Sequence, residues 1–426
     1  MLRAETDLDR RYDSSLADLK QALKLQPDNA RAHWLHSRVL IAMGNHEEAL
    51  IASAQAVRLK PDDAQFRVTR ARILGQLGRL PEAVAEVQKA VETSQQRPHV
   101  KACALCLLGD LAASGQKPDY RRAIQYHMEA VKLADTLATN RHPAVRVPAK
   151  EVLIDAHLGA AHDIAWGTWK EKLEAVTKWL SRADAFAEDL VENEGGSQEH
   201  LFRVSSRALA ACVGLRGALD PGQWTTQAIQ NAEQLIAATD DPVRKAQLRW
   251  DLGMALYDSL QTYQMRGDHD TALKYGEQAV NYLEGGDPLK QANSSYLLGR
   301  LYFRLGAIHA IRDENHRAAI TWFEKAVPLL EDRSPDRDVA DLGRLGETFV
   351  SMGVSYWETG QQERAIELTQ RGIEWMEEAV QQGLLDESAL AVPYSNLASM
   401  HRQMGQDATA DRFEAMAKKI DGRKLR

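Results

Sequence analysis

Residues 26–92, QPDNARAHWLHSRVLIAMGNHEEALIASAQAVRLKPDDAQFRVTRARILGQLGRLPEAVAEVQKAVE, run twice through one pattern. Set against itself at a lag of 34 residues, the stretch pairs Pro27 with Pro61, Gly44 with Gly78, Ala49 with Ala83 and Ala56 with Ala90. Each copy predicts a first helix with a small residue where it crosses its neighbour, Ser37 or Ala71. A turn follows at Met43-Gly44-Asn45 or Leu77-Gly78-Arg79, and then a second helix with alanines seven apart. Small side chains let antiparallel helices approach closely, and proline, which cannot continue a helix, ends the unit.

This pattern resembles the tetratricopeptide repeat, whose landmarks are W-x2-L-G-x2-Y, A-x3-F, A and P. His33 and Arg67 replace the first aromatic, and Ser37 and Ala71 replace the first-helix glycine. A third unit recovers the LG pair in Leu107-Leu108-Gly109, carries Ala123 and Ala130 in its second helix, and lengthens its turn around Lys117-Pro118-Asp119. The resemblance implies an all-α fold, a right-handed superhelical solenoid of antiparallel helix pairs whose concave groove binds a peptide or helix of another protein.

Further along, the lag grows to about 45 to 47 residues. Gly253, Gly299 and Gly346 align, as do Ala272, Ala319 and Ala365, and Ala279, Ala326 and Gly372. A last unit holds Ala398, Gly405, Ala410 and Ala417. About 12 extra residues per unit imply first helices longer by roughly two to three turns. Weaker helical copies fill 151–239, broken at Glu194-Gly195-Gly196, Asp220-Pro221-Gly222 and Asp240-Asp241-Pro242. The expected organisation is 1–136 as repeats of about 34 residues, 137–239 as irregular helical repeats, and 240–426 as long repeats of about 46. Shared small-residue crossings predict one continuous stack without any sheet. Ser15, Ala22 and Pro27 match the second half of a repeat, so the chain reads as starting mid-repeat, as a fragment of a larger protein or with a solitary capping helix.

A chain of 426 residues exceeds one compact core, and 44% hydrophobic with 27% charged residues suits a folded, helix-rich protein. Residues 1–150 hold 23 Lys+Arg against 17 Asp+Glu, so the basic balance lies at the start and the rest carries the acidity of a chain with net charge -7. No dense basic run is interleaved with aromatics, which argues against a nucleic-acid partner. The basic tail of Lys418, Lys419, Arg423, Lys424 and Arg426 reads as a solvated helix end. Three cysteines, a charged start and no long apolar run predict a cytoplasmic protein without membrane insertion.

Chemical constellations are sparse. Cys103 and Cys106 form CxxC with His99 on the same helical face, but no second ligand pair completes a zinc site, so small half-buried helix residues explain them. His33 and His36 read as residues packed between helices, and His157 and His162 beside Asp163 as packing or surface groups. No phosphate loop, kinase catalytic loop or nucleophile elbow occurs, so no catalytic residue, cofactor or metal is assigned. Trp250, Trp322 and Trp375 sit at core spacing.

The repeat register instead places Arg31, Trp34, Arg38, Arg72 and Gln76 on groove-lining first-helix positions, with Asp110 continuing the column of Arg38 and Arg72. An aromatic beside stacked guanidinium groups suits a carboxylate or acidic peptide. The family's carboxylate clamp needs Lys and Asn where Trp34 and Arg38 stand, so that mode is not carried over. In the long units the equivalent wall comprises Tyr257, Gln261, Gln264, Arg300, Phe303, Glu347, Trp357 and Arg402.

The leading expectation is therefore a non-catalytic protein-interaction scaffold. Resemblance to arrays appended to bacterial signalling proteins suggests a region of such a protein. Two other readings are an enzyme or metal site in the irregular middle, using His157, His162, Asp163, Cys103 or Cys106, and a purely structural, self-associating scaffold.

Overall fold

The computed structural model describes residues 12–94, 96–115, 117–286, 294–312, 314–332 and 342–424, with side chains to 420. The start of the chain before residue 12 and the side chains of Arg423, Lys424 and Arg426 lie outside the described residues. Among the described residues there are only helices. In order they are α1 (Tyr12–Leu25), α2 (Ala30–Ala42), α3 (His46–Leu59), α4 (Ala64–Gln76), α5 (Leu80–Thr93), α6 (Pro98–Ala112), α7 (Tyr120–Ala138), α8 (Pro143–Trp166), α9 (Lys172–Asn193) and α10 (Glu199–Gly214). Then come α11 (Gly222–Ala238), α12 (Pro242–Met265), α13 (His269–Leu283), α14 (Ser294–Arg312), α15 (His316–Glu331), α16 (Leu342–Glu358) and α17 (Gln362–Gln381). A short 3-10 turn, Glu387–Leu390, precedes α18 (Ala391–Gln403) and α19 (Asp407–Lys424).

The repeat signals act where the sequence puts them. Asn29 and Asp63, two residues after the repeat prolines, cap α2 and α4 by accepting from the backbone N–H of Ala32 and Gln65, each at 3.0 Å. Such caps are worth about 1 kcal/mol each. Gly44 and Gly78 turn the chain at φ 77° and 72°, a left-handed conformation that a side chain would strain. At the crossings, Ser37, Ala71, Ala49, Ala83, Ala56 and Ala90 are all fully buried. The same holds for Ala272, Ala319 and Ala365 in the long repeats. Helices therefore pair antiparallel, α2 with α3 through α18 with α19. The chain is an all-α solenoid of antiparallel helix pairs.

Two compact units emerge, Met1–Lys290 with α1 to α13 and Gln291–Arg426 with α14 to α19. Helix α7 packs on α8 and α11 on α12. The middle stretch pairs regularly, α8 with α9 and α10 with α11. Lengthening also starts earlier than the repeat lag implied. Helix α8 already has 24 residues and α9 22, matching the 24 of α12 against 13 in α2.

The first unit curls back on itself. The backbone N–H of Tyr12 donates to Asp241 Oδ2 at 3.1 Å across 229 residues of sequence. Gln247 Nε2 donates to the Ala42 carbonyl. Between them, Val243 packs against the apolar cluster of Tyr12, Leu19, Trp34, Leu35 and Phe66. Asp241 serves twice, since its Oδ1 also caps α12 through the N–H of Arg244 at 3.0 Å. The start of α12 thus closes the curl against α1 and the end of α2.

Two outcomes follow from this packing. Ala83→Trp or Ala365→Trp should lower stability by about 1 to 3 kcal/mol, because a large ring has no room at a closed crossing; urea melts of each variant measure it, and an unchanged midpoint would place the crossings elsewhere. Val243→Asp should loosen the closure, raising hydrogen exchange in α1 and α2 while α4 to α8 stay protected. Exchange that rises equally in all of these helices would mean that the contact holds the whole unit rather than its seam.

Candidate functional site

First helices α4, α6, α8, α10 and α12 turn one face to the inside of the curl. Two adjoining hollows open there. One, of about 660 Å³, is lined by α8, α10 and α12 with Glu151, His200, Arg203, Arg207, Arg244 and Asp258 among its residues. The other, of about 490 Å³, includes Arg72, Asp110, Asp155, His162, Asp163 and Arg207. Arg203 and Arg207, one helical turn apart on α10, belong to both hollows, which makes them one groove.

Most charges in this groove are answered. Arg203 Nη1 pairs with Asp155 Oδ1 at 3.2 Å, Arg244 with Glu199, and His200 Nε2 lies 4.0 Å from Glu151 Oε1. Arg72 and Arg207 differ. Both are exposed to the groove, and neither makes a hydrogen bond or ion pair within the described residues.

Asp110 keeps 50% of its side chain in contact with solvent although protein surrounds it on most sides. That surrounding raises its carboxyl to about 6, with Asp155 adding to the shift and Arg207, Arg72 and His162 opposing it. Behind it sits His127, fully buried on α7, with Nε2 3.8 Å from Asp110 Oδ1 and 3.4 Å from Asp163 Oδ2. Burial lowers the imidazole to about 4, against the pull of Asp163, so it is neutral at neutral pH. Asp163 is itself buried and receives His162 Nδ1 at 3.2 Å. The His127 ring is wedged between two first-helix glycines: a Cβ on Gly109 would come within 2.5 Å of it and one on Gly159 within 2.3 Å. Sequence reasoning passed over His127. The signal was present, since Ala123-x3-His127 puts it at the aromatic position of the A-x3-F landmark.

Of the residues expected in the groove, Arg72 and Asp110 meet in one hollow, whereas Arg31, Trp34, Arg38 and Gln76 do not line it. Trp34 is only 8% exposed, stacked on Phe66 at 5.7 Å between centroids, with its Nε1 donating to Thr69 Oγ1 at 2.8 Å. The Arg38 guanidinium lies over it at 5.2 Å. Trp34 is a packing residue near the closure because α1 and Val243 extend the apolar cluster to which it belongs. The second expected wall is divided, Tyr257 falling in the first unit and Arg300, Phe303 and Trp357 in the other. Tyr257 and Arg300 are buried, Arg300 donating to Thr348 Oγ1 at 3.3 Å, while Phe303 and Trp357 are half-buried. Phe303 stacks on Phe323 at 5.9 Å. Gln261 and Gln264 are half-buried and Glu347 is exposed. Arg402 faces its own helix pair, bonding Asp411 and Glu414 at 2.7 and 2.8 Å.

The remaining chemical candidates resolve into packing. His157 donates from Nδ1 to the Leu153 carbonyl at 2.6 Å, with its ring against Trp179 and Phe186. Cys106 Sγ lies 3.8 Å from His127 Nδ1, a spacing that resembles a thiol–imidazole pair. Burial nevertheless pushes the Cys106 thiol well above its ordinary value and Cys103 upward too, the opposite of an activated thiolate. Within the described residues no cluster of His, Cys, Asp or Glu could hold a metal ion, and no helix is long and apolar enough to cross a membrane.

Residues 8–67 match the tetratricopeptide repeat family model. No curated protein sequence matches the chain. Among solved structures, it is similar to a signal-transduction ATPase with numerous domains and a tetratricopeptide repeat sensor from Pyrococcus horikoshii, at a TM-score of 0.57 and 14% identity, over 94% of this chain and 53% of that one. It thus spans about half of that protein. Lower similarities link it to apo RapI, at a TM-score of 0.47 and 10% identity over 93% and 98% of the two chains. BtubC from P. vanneervenii follows at 0.39 and 15%, over 72% and 93%. With the repeat landmarks buried at its helix crossings and the family model matched over residues 8–67, the start of the chain carries tetratricopeptide repeats.

Proposed function

We propose that this chain is a non-catalytic scaffold that binds an extended segment of another protein along the inner wall of its first unit. The observation that carries the reading is the continuous groove running from Arg72 and Asp110 through Arg203 and Arg207 to Arg244 and Asp258. It is lined by both charge signs together with apolar surface from Leu107, Leu158, Phe202 and Leu248. Such a mixture suits a peptide, whose side chains alternate in character, better than a polyanion of uniform charge. A cytoplasmic setting and a place within a larger signalling protein belong to the same proposal and rest on fold-level resemblance.

The test is a displayed library of random linear peptides selected on the intact chain, followed by titration of the enriched sequences. Ala210→Trp fills the groove from α10, where Ala210 is half-buried and faces the larger hollow. Enriched peptides should bind the variant at least about tenfold more weakly, a loss of about 1.4 kcal/mol, with the melting temperature unchanged. Equal affinity for wild type and variant would remove binding from this wall.

A further inference from the structure

We propose that the Arg72–Arg207 end of the groove is a carboxylate-binding subsite for an acidic segment, and that Asp110 competes for it from within the protein. The inference rests on the groove being a binding surface and adds the class of ligand and its regulation. Arg72 comes from α4 and Arg207 from α10, helices three repeats apart that the curl of the unit turns toward one hollow. Arginines in a confined site normally find a carboxylate, and a guanidinium is always charged and suited to a bidentate partner. Here Arg203 has Asp155 and Arg244 has Glu199, yet among the described residues Arg72 and Arg207 have no ion pair. About 490 Å³ lies around them, room for a side-chain carboxylate and the backbone carrying it.

Asp110 is an exposed acid of that hollow, and among the described residues no Arg or Lys forms an ion pair with it. Asp155 is held by Arg203, and Asp163 is buried against His127 and His162. Asp110 faces Arg72 from α4, His127 from α7, Asp155, His162 and Asp163 from α8, and Arg203 and Arg207 from α10. Ionised, it supplies part of the negative charge the two arginines require and repels an incoming carboxylate. Protonated, it does neither. Its elevated carboxyl, at about 6, puts that change within a mildly acidic range. A bound carboxylate raises it further, so binding takes up a proton and strengthens as pH falls through about 6. Asp184, also raised to about 6 but on α9 and lining a different surface, is the matched control.

The probes are hexaglutamate and hexaglutamine, titrated by calorimetry against the full chain. Wild type should bind hexaglutamate in preference to hexaglutamine, and about tenfold more tightly near pH 5.5 than near pH 7.5. Asp110→Asn should bind at pH 7.5 as wild type does at the lower pH and lose most of the pH response, whereas Asp184→Asn should keep it. Arg72→Gln and Arg207→Gln, made singly on exposed positions, should each weaken hexaglutamate by about tenfold. Binding no stronger than that of hexaglutamine, or indifference to either arginine, overturns the subsite. A pH response surviving in Asp110→Asn overturns the competition. If the library peptides still respond to Ala210→Trp in those cases, the groove stands and only this inference falls.

Discussion

Two helices can lie against each other at backbone distance only where neither places a side chain between them. This constraint recurs through the molecule. Ala49, Ala83, Ala123, Ala272, Ala319, Ala365 and Ala410 are each wholly buried where a second helix meets its partner. At Gly346 and Gly372 even a methyl is too much, because a Cβ on either would come within 2.5 to 2.6 Å of the other's carbonyl oxygen. Close crossings fix the angle and spacing of each pair, and larger buried residues such as Leu74, Phe323 and Phe349 fill the core around them.

Curvature is the sum of those pair geometries, and in the first unit it is sufficient to bring α12 back to α1 and α2. Among the described residues the seam includes an apolar contact through Val243 and hydrogen bonds from Tyr12 N–H to Asp241 and from Gln247 to the Ala42 carbonyl. Its consequence is large. Helices distant in the chain face one another across the groove, so charge in it is organised by the curl and not by neighbours along a helix.

Substituting a histidine for the repeat's aromatic at position 127 illustrates how the fold accommodates polarity. An imidazole is smaller than a phenyl ring but must satisfy two nitrogens, and burying it without partners costs free energy. Gly109 and Gly159 clear space on both sides, while Asp163, Asp110 and Cys106 surround it with polar atoms at 3.4 to 3.8 Å. Those distances are longer than good hydrogen bonds. The cluster thus lies directly behind the groove floor and places Asp110 in a crowded but wetted position.

The sequence by itself determined the helix pairs, their turns and their buried small residues, because each of these depends on contacts within one repeat and recurs at a visible period. It also marked Arg72 and Asp110 as inward-facing, since the face of a first helix follows from register. It misjudged Trp34, which the register turns inward but which the cluster around Tyr12 and Phe66 takes up as packing. It also left 137–239 without a register, because lengthened helices shift the landmarks apart while the crossings survive. Only the tertiary structure decided that Arg207 stands with Arg72 and that Asp241 meets Tyr12. Each of these joins residues from different repeats, and small rotations accumulated over many helix pairs, which no local spacing encodes, set the distance between them.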